Sequence, residues 1–588
     1  MKQLSPYPIE TLRHSCAHIL ASAVLKLFPE TKLGIGPSIE NGFYYDFKCK
    51  QSLSTQDLKK IEKVMRKIIQ ENHSFTKIIL SIDSALEKYT LFDQPYKREI
   101  LKDLQEKGAK EVSFYESGNF IDLCSGPHIE SSGEIPLYGF VLDRVSGAYW
   151  KGDSTKDQLQ RIYGILFSTK KELEEYLISR EEAKKRDHKK LGKELDLFYF
   201  DDAVGKGLPL WTPKGTIIKH ELSEYVRTLE KKYGYDHVET PFIGNEKLYK
   251  ISGHLDHYKD NMYAPIDMDG EKFYLRPMAC PHHIRLLQRK PLSYKDLPIR
   301  YAEIADYSRF EKSGELMGMI RLRKFQLTDG HLFVTPEQLK EEFKDVCSMI
   351  GEGMKKLGLE NVVSYRFSKR DPQNKEKYYP DDTLWNTAEN LMKEALDEMD
   401  FDYTEVEDEA AFYGPKLDVQ GNNVNGKEDT LFTAQIDFLL PEKFNILYTD
   451  KDGSQKRPVM IHRSTIGSLE RIFAFLIEHY AGAFPLWLAP IQIALLPVSE
   501  KFRDEALSLK KVFEKENIRV HLCDDDISLG KRIHEMEKQK VPLLAILGEK
   551  EISSQTITLR ESGERKIFQE EKVSLQKCLD QIKKEIQK

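Results

Sequence analysis

Along the first third of the chain the spacing of apolar positions changes from segment to segment. In IETLRHSCAHILASAVLKLF (9 to 28) they recur every three or four residues, which predicts a helix carrying His14 and His18 one turn apart. NGFYYDF (41 to 47) reads as an extended run, the charged stretch near 56 to 71 as a helix, and SGNFIDLCSGPHIE (117 to 130) as rich in turns. KKELEEYLISREEAKKRDHKKLGKEL (170 to 195) predicts one long charged helix, whose charge suits either a solvated face or an RNA-facing connector. From 196 to about 486 helix and strand patterns alternate. Beyond 487 the order is strand IQIALLPV, helix EKFRDEALSLKKVFEKEN, strand IRVHLCD, helix SLGKRIHEMEKQ and strand PLLAILG, which predicts an α/β domain with a largely parallel sheet. No short repeat or low-complexity tract interrupts this order.

One stretch raises a membrane question. AGAFPLWLAPIQIALLPV (481 to 498) is apolar over 18 residues, but Pro485, Pro490 and Pro497 would break a spanning helix, so it reads as a domain junction running into a buried strand. A length of 588 residues implies several domains. Hydrophobic residues at 40% and charged residues at 31% describe an ordinary soluble globular chain. The net charge of −6 excludes a general nucleic-acid coat and confines any RNA contact to local basic patches. Seven cysteines without a framework suit a reducing compartment, and MKQLSPYPIE has no apolar export region, so a cytoplasmic location is expected.

Candidate chemistry concentrates in LRPMACPHH (275 to 283), YSRFEKSGELMGMIRLRKFQLTDGHLF (307 to 333) and PVMIHRSTIGSLERIF (458 to 473). Together these resemble the signature motifs and zinc site of threonyl-tRNA synthetases, a family of class II aminoacyl-tRNA synthetases, and the resemblance runs over essentially the whole chain. It implies an α+β multidomain fold: an antiparallel class II catalytic core (196–486), an N-terminal editing domain (1–182), a linker helix (183–195) and a C-terminal α/β anticodon-binding domain (487–588). Adenylation brings a carboxylate onto a phosphate, so it needs fixed cations, and arginine holds such oxygens bidentately while staying charged. The resemblance places Arg309 on the α-phosphate and amino-acid carboxylate, Glu311 on the adenine amino group, Arg321 near the outer phosphates, Phe325 stacked on adenine and Arg471 on the γ-phosphate, with Mg²⁺ accompanying ATP. Any one of these arginines could otherwise be a surface ion pair.

Cys280, His331 and His462 lie 51 and 131 residues apart, and from spacing alone a buried cysteine and two satisfied histidines are the better reading. The resemblance reverses this and implies one zinc ion with an open position for substrate. Asp329 matches the carboxylate that holds the substrate hydroxyl, Tyr413, Lys416 and Gln435 match pocket and ATP-side positions, and His254 matches a histidine near the terminal ribose during transfer. His282 and His283 adjoin Cys280, but the family pattern puts only the cysteine on zinc. Two departures adjoin the pocket: Leu327 stands where many members carry glutamine, and LFTAQIDF lacks a Cys-Gly pair before the equivalent threonine. They read as a variant pocket.

Serine is threonine less a methyl, worth only about 1 to 3 kcal/mol of discrimination, so a second, hydrolytic site is expected. His14 and His18 form an HxxxH and Cys124 and His128 a CxxxH, each pairing its side chains on one face if helical. By itself this quartet looks like a zinc site; the resemblance implies a metal-free editing site, with Lys97 and Asp122 as accompanying positions. Glu551 and Arg560 match anticodon-reading positions, against the alternative of exposed ion pairs. YGYDHVETPF with Pro241 matches motif 1 and implies a homodimer. The ubiquitin-like domain with which many bacterial relatives begin is expected to be absent. The implied activity is ATP-dependent joining of threonine to the 3′ end of threonine tRNA, with hydrolysis of mischarged seryl-tRNA and no membrane partner. The alternatives are a non-catalytic synthetase-like RNA-binding regulator and a sister class II ligase for another amino acid.

Overall fold

A computed structural model describes residues 6–424, 426, 428–562, 567–568 and 572–587. They form two compact units, Met1–Glu181 and Glu182–Lys588.

In the first unit the helix Ile9–Leu27 buries Leu12, Cys16, Ile19, Leu20 and Val24 at helical spacing, with Glu10 in its first turn and Lys26 in its last to suit the dipole. It packs with the helix Thr55–Glu71 on an antiparallel sheet of Gly42–Lys48, Gln158–Leu166 and Phe140–Tyr149, whose Phe43, Tyr45 and Phe47 are fully buried. A second sheet, Thr76–Ser81, Glu111–Ser117 and Phe120–Leu123, is backed by the helices Ile82–Leu91 and Pro95–Glu106. Cys124 and His128 follow its last strand in a loop, not a helix, because Gly126 takes a left-handed backbone (φ +74°) and Pro127 has no N–H to continue a helical ladder. Their side chains meet through that turn rather than across a helix face.

The charged stretch 170 to 195 is two helices, Lys170–Arg186 and His188–Glu194. Asp187 makes the break, since its carboxylate accepts from the Lys189 and Lys190 amides at 2.8 and 3.2 Å and so restarts the helix.

The second unit is organised on an eight-stranded sheet in the order Asp236–His237, Ile299–Ser308, Lys324–Val334, Val459–Ser468, Glu428–Asp437, Lys416–Asn422, Val363–Ser368 and Thr404–Val406, antiparallel except at its two edge pairings. One face carries the helices Pro213–Lys232, Leu339–Lys356 and Leu469–His479 over a continuous apolar core. The other face is left for the site. The C-terminal sheet is mixed rather than largely parallel. Val520–Leu522, Ile493–Pro497 and Leu543–Leu547 run parallel, and Thr556–Glu561 and Lys572–Ser574 add antiparallel to them. The apolar stretch 481 to 498 turns at Ala481 and Gly482 and enters the buried strand Ile493–Pro497. Among the described residues no helix is long and apolar enough to cross a membrane.

Candidate functional site

Sheet register assembles the main site. His331 and His462 pair directly across neighbouring strands, and Gln435 pairs with His462 on its other side, so three residues distant in sequence point onto one face. Cys280 begins the helix Cys280–Leu287 above them, and the potential ligand atoms of Cys280, His331 and His462 all lie within 4.8 Å of one another. This set suits zinc. Burial pushes the Cys280 thiol well up, helped by the Asp329 and Asp437 charges, and lowers His331 well below the usual imidazole range. A cation between them would favour the thiolate, while the histidine is already in its neutral, coordinating form. The outer nitrogens are also held. Asp437, fully buried, lies 2.7 Å from His462 Nε2, and His283 Nδ1 lies 2.8 Å from His331 Nδ1. His283 Nε2 is in turn 3.0 Å from Glu303, which Arg276 braces at 3.2 Å, so His283 donates from Nε2, accepts from His331 at Nδ1 and leaves the Nε2 of His331 toward the site. The family pattern keeps His283 off the metal, and in the structure it stands behind His331, while Asp437 and Glu303 carry no local sequence signal because only the fold brings them to the histidines.

A cavity of about 720 Å³ extends from these ligands past Asp329, Tyr413 and Gln435 to Arg309, Glu311, Arg321, Phe325 and Arg471. Asp329 is held by the Tyr307 hydroxyl, and burial pushes its carboxyl up. Tyr413 donates to Gln435 and lies 5.5 Å, ring to ring, from His462. The Arg309 guanidinium sits 5.2 Å over the Phe325 ring. Arg471 donates to the carbonyls of Thr430 and Ile320 at 2.6 and 3.2 Å. Burial, and then the Arg309 charge with that of Arg321, lowers Arg471 against the opposing pull of Asp429 and Glu311, so three cations converge on one end of the cavity. Arg321 meanwhile pairs with Glu311 at 2.9 Å. Leu327 lines the cavity beside this group.

Two expected positions stand off the cavity wall. Lys416 pairs with Asp418 at 2.8 Å. His254 is bound to Ser252 Oγ at 2.7 Å and pulled down to about 4, chiefly by burial.

The first unit holds a second cluster. His14 and His18 from the helix meet Cys124 and His128 from the loop with their ligand atoms within 4.8 Å. Cys124 Sγ lies 3.2 Å from His14 Nε2 and 3.3 Å from His128 Nε2, and Ser15 Oγ is 2.9 Å from His128 Nδ1. Burial keeps all three histidines low, His128 at about 2, and pushes the Cys124 thiol to about 11. Beside them Lys97 and Asp122 form a buried ion pair at 2.7 Å, and Tyr45 and Tyr89 donate to the same carboxylate. In the C-terminal part Glu551 accepts from the Gly548 amide at 3.1 Å and the Thr558 hydroxyl at 2.9 Å, and Arg560 pairs with Glu537 at 2.7 Å.

Residues 262–480 match the family model of the class II tRNA synthetase core domain (G, H, P, S and T), 492–585 that of the anticodon binding domain, and 112–163 that of the threonyl and alanyl tRNA synthetase second additional domain. A threonine–tRNA ligase of Clostridium botulinum is 50% identical over 94% of this chain and 85% of its own. That of Geobacillus kaustophilus is 47% identical over 95% of this chain and 85% of its own. The chain belongs to the threonine–tRNA ligase family. Among solved structures, the RNA binding domain of threonyl-tRNA synthetase from Cryptosporidium parvum matches this threonine–tRNA ligase family member with a TM-score of 0.63 and 32% identity, over 68% of this chain and 98% of its own. A putative threonyl-tRNA synthetase from Aeropyrum pernix matches with a TM-score of 0.57 and 28% identity, over 64% and 88%.

Proposed function

We infer that this chain is a threonine–tRNA ligase that activates threonine with ATP, transfers it to threonine tRNA and hydrolyses mischarged seryl-tRNA. The observation that carries the reading is the single cavity in which three converging arginines lie at one end and the Cys280, His331 and His462 set at the other. Arg309 draws the threonine carboxylate and the α-phosphate together. The carboxylate oxygen attacks the α-phosphorus, the bond to pyrophosphate breaks, and Arg471, with Arg321 once freed from Glu311, takes the charge of the leaving group while Mg²⁺ accompanies the nucleotide. Glu311 and Phe325 hold the adenine. The ribose hydroxyl at the tRNA 3′ end then attacks the adenylate carbonyl and AMP leaves, with neutral His254, whose Nε2 lies 3.2 Å from Met278 of the cavity wall, as the group that takes the proton. Lys416 and Asp418 support the strand under Gln435.

Cys280, His331 and His462 would hold zinc, which when bound would supply a Lewis acid for the amino nitrogen and β-hydroxyl of threonine. Asp329 accepts from that hydroxyl, and valine, which lacks it, leaves the carboxylate unmatched. In the first unit, His14, His18, Cys124 and His128 position a water against the seryl ester without metal, a reading supported by the way the four side chains converge beside the Lys97–Asp122 pair. Lys97, fixed by Asp122, adds a cation for the developing oxyanion.

These roles assign 1–182 to editing, 183–195 to the linker, 196–486 to synthesis and 487–588 to the anticodon, with Glu551 and Arg560 as its readers. The enzyme works in the cytoplasm as a homodimer, in keeping with exposed apolar Phe242, Ile266 and Met268 near motif 1. ATP–pyrophosphate exchange tests the reading: threonine supports it, valine does not, and Arg309→Ala abolishes it while the fold persists. Less than about a tenfold loss in Arg309→Ala, where a charge-stabilising group is removed from the reacting phosphate, would refute the phosphate assignment.

A further inference from the structure

His188 opens the short linker helix His188–Glu194 and is only 2% exposed, although RDHKKLGK around it is strongly charged. Its Nδ1 lies 2.6 Å from the Glu478 carboxylate and its Nε2 3.2 Å from the backbone nitrogen of Met319. An ionised carboxylate only accepts and a backbone N–H only donates, so both contacts require the same neutral ring, protonated at Nδ1 and accepting at Nε2. Glu478 lies in the last turn of the helix Leu469–His479, whose first turn carries Arg471, and Met319 lies in the loop MGMIRL (317 to 322) that walls the cavity.

The residues after Met319 reach the nucleotide end directly. The Ile320 carbonyl accepts from Arg471 Nε at 3.2 Å, and Arg321 Nε pairs with Glu311 at 2.9 Å. Gly318 fits the contact closely: its φ is +48°, and a Cβ there would fall 2.1 Å from His188 Nε2. We propose that His188 is a positioning residue for adenylation, a linker imidazole that grips the loop through the Met319 amide and so sets Arg321 and Arg471 toward the ATP phosphates. Once the loop lets go of that nitrogen, Arg321 loses its fixed placement and Arg471 keeps only its bond to the Thr430 carbonyl, while Arg309, just past the strand Ile299–Ser308, and the zinc ligands keep theirs. The proposal rests on the cavity being the ATP site.

The test is ATP–pyrophosphate exchange by the full chain carrying His188→Leu, with KM measured separately for ATP and threonine. The KM for ATP rises about tenfold, the scale of one buried hydrogen bond lost together with its loop, while that for threonine stays within about twofold. Gly318→Ala, which pushes the ring away from the loop side, gives the same split, and His188→Gln, whose amide keeps an acceptor and a donor, recovers part of it. An unchanged KM for ATP in folded His188→Leu, or equal rises for both substrates, overturns the proposal; if His188→Leu does not fold, Gly318→Ala decides by the same criterion. Arg471→Ala separates this outcome from failure of the underlying reading. If it too leaves ATP use intact, the cavity is not the ATP site; if it impairs ATP use and the other two variants do not, only the role of His188 falls.

Discussion

Asp437 serves two neighbours at once. Oδ1 accepts from the Leu439 and Leu440 amides at 2.7 and 2.9 Å and starts the short helix Leu439–Lys443, while Oδ2 holds His462 Nε2. In Asp437→Asn the carbonyl keeps the helix start, but the amide faces His462 and donates, which moves the ring proton to Nδ1 and closes the nitrogen meant for metal. Zinc affinity, read by chelator competition, falls about 10- to 100-fold while the unfolding midpoint moves little. Equal zinc affinity in the variant would mean that His462 is not a ligand through Nδ1. Cys280→Ser loses zinc and threonine activation together, because a hydroxyl is a far poorer zinc ligand than a thiolate; full zinc by metal analysis would remove Cys280 from the site. The candidate ligands themselves were legible in the sequence through their motifs, and the structure brings the three together. Asp437, His283 and Glu303 were not legible, because an acid in a strand or a histidine in a helix looks the same whether it supports a ligand or pairs with solvent.

At the scale of elements, the helix Ile9–Leu27 and the loop 124 to 128 bury histidines in neutral form. His18 is well below its ordinary value and His128 at about 2, in each case chiefly through burial. An unfolded histidine takes a proton near 6.5, so below that pH the unfolded chain binds more protons than the folded one and stability declines. The contribution is intact above about 6.5, and His128 alone removes about 2 kcal/mol by pH 5. Amide hydrogen exchange in Ile9–Leu27 therefore accelerates between pH 7 and 5 beyond its intrinsic pH dependence, and less so in His128→Asn. Exchange protection that stays constant over this range would show that the ring is not held neutral. The helix was readable from its apolar period. The stretch 117 to 130 is readable as rich in turns, and of the two ways a CxxxH spacing can bring Cys124 to His128 it is the turn at Gly126 and Pro127, not a helix face, that does so. Asp187 was likewise hidden inside a charge run in which any acid could be solvent-facing.

For the molecule as a whole, the two clusters belong to separate compact units, so chemistry in one is expected to survive loss of the other. His14→Ala with His18→Ala leaves threonine-dependent exchange nearly unchanged, and with serine as the only amino acid it lets seryl-tRNA accumulate where the unaltered chain shows none. Stable seryl-tRNA from the unaltered chain would place editing elsewhere, and no accumulation in the double variant would mean that serine is already refused at the zinc end.

The sequence by itself determined the class of chemistry, because arginines, a thiol and imidazoles within matching motifs allow few other uses, and it determined the principal helices, because a 3.6-residue apolar period has one way to bury its face. Tertiary structure decided which residues act together. His331 opposes His462 through strand register, Arg471 reaches Ile320 across 151 residues, and His188 in a charged linker turns inward to Met319. Such contacts follow from how the sheet and helices close on one another, and a buried polar atom finds its partner only when that closure removes water from it.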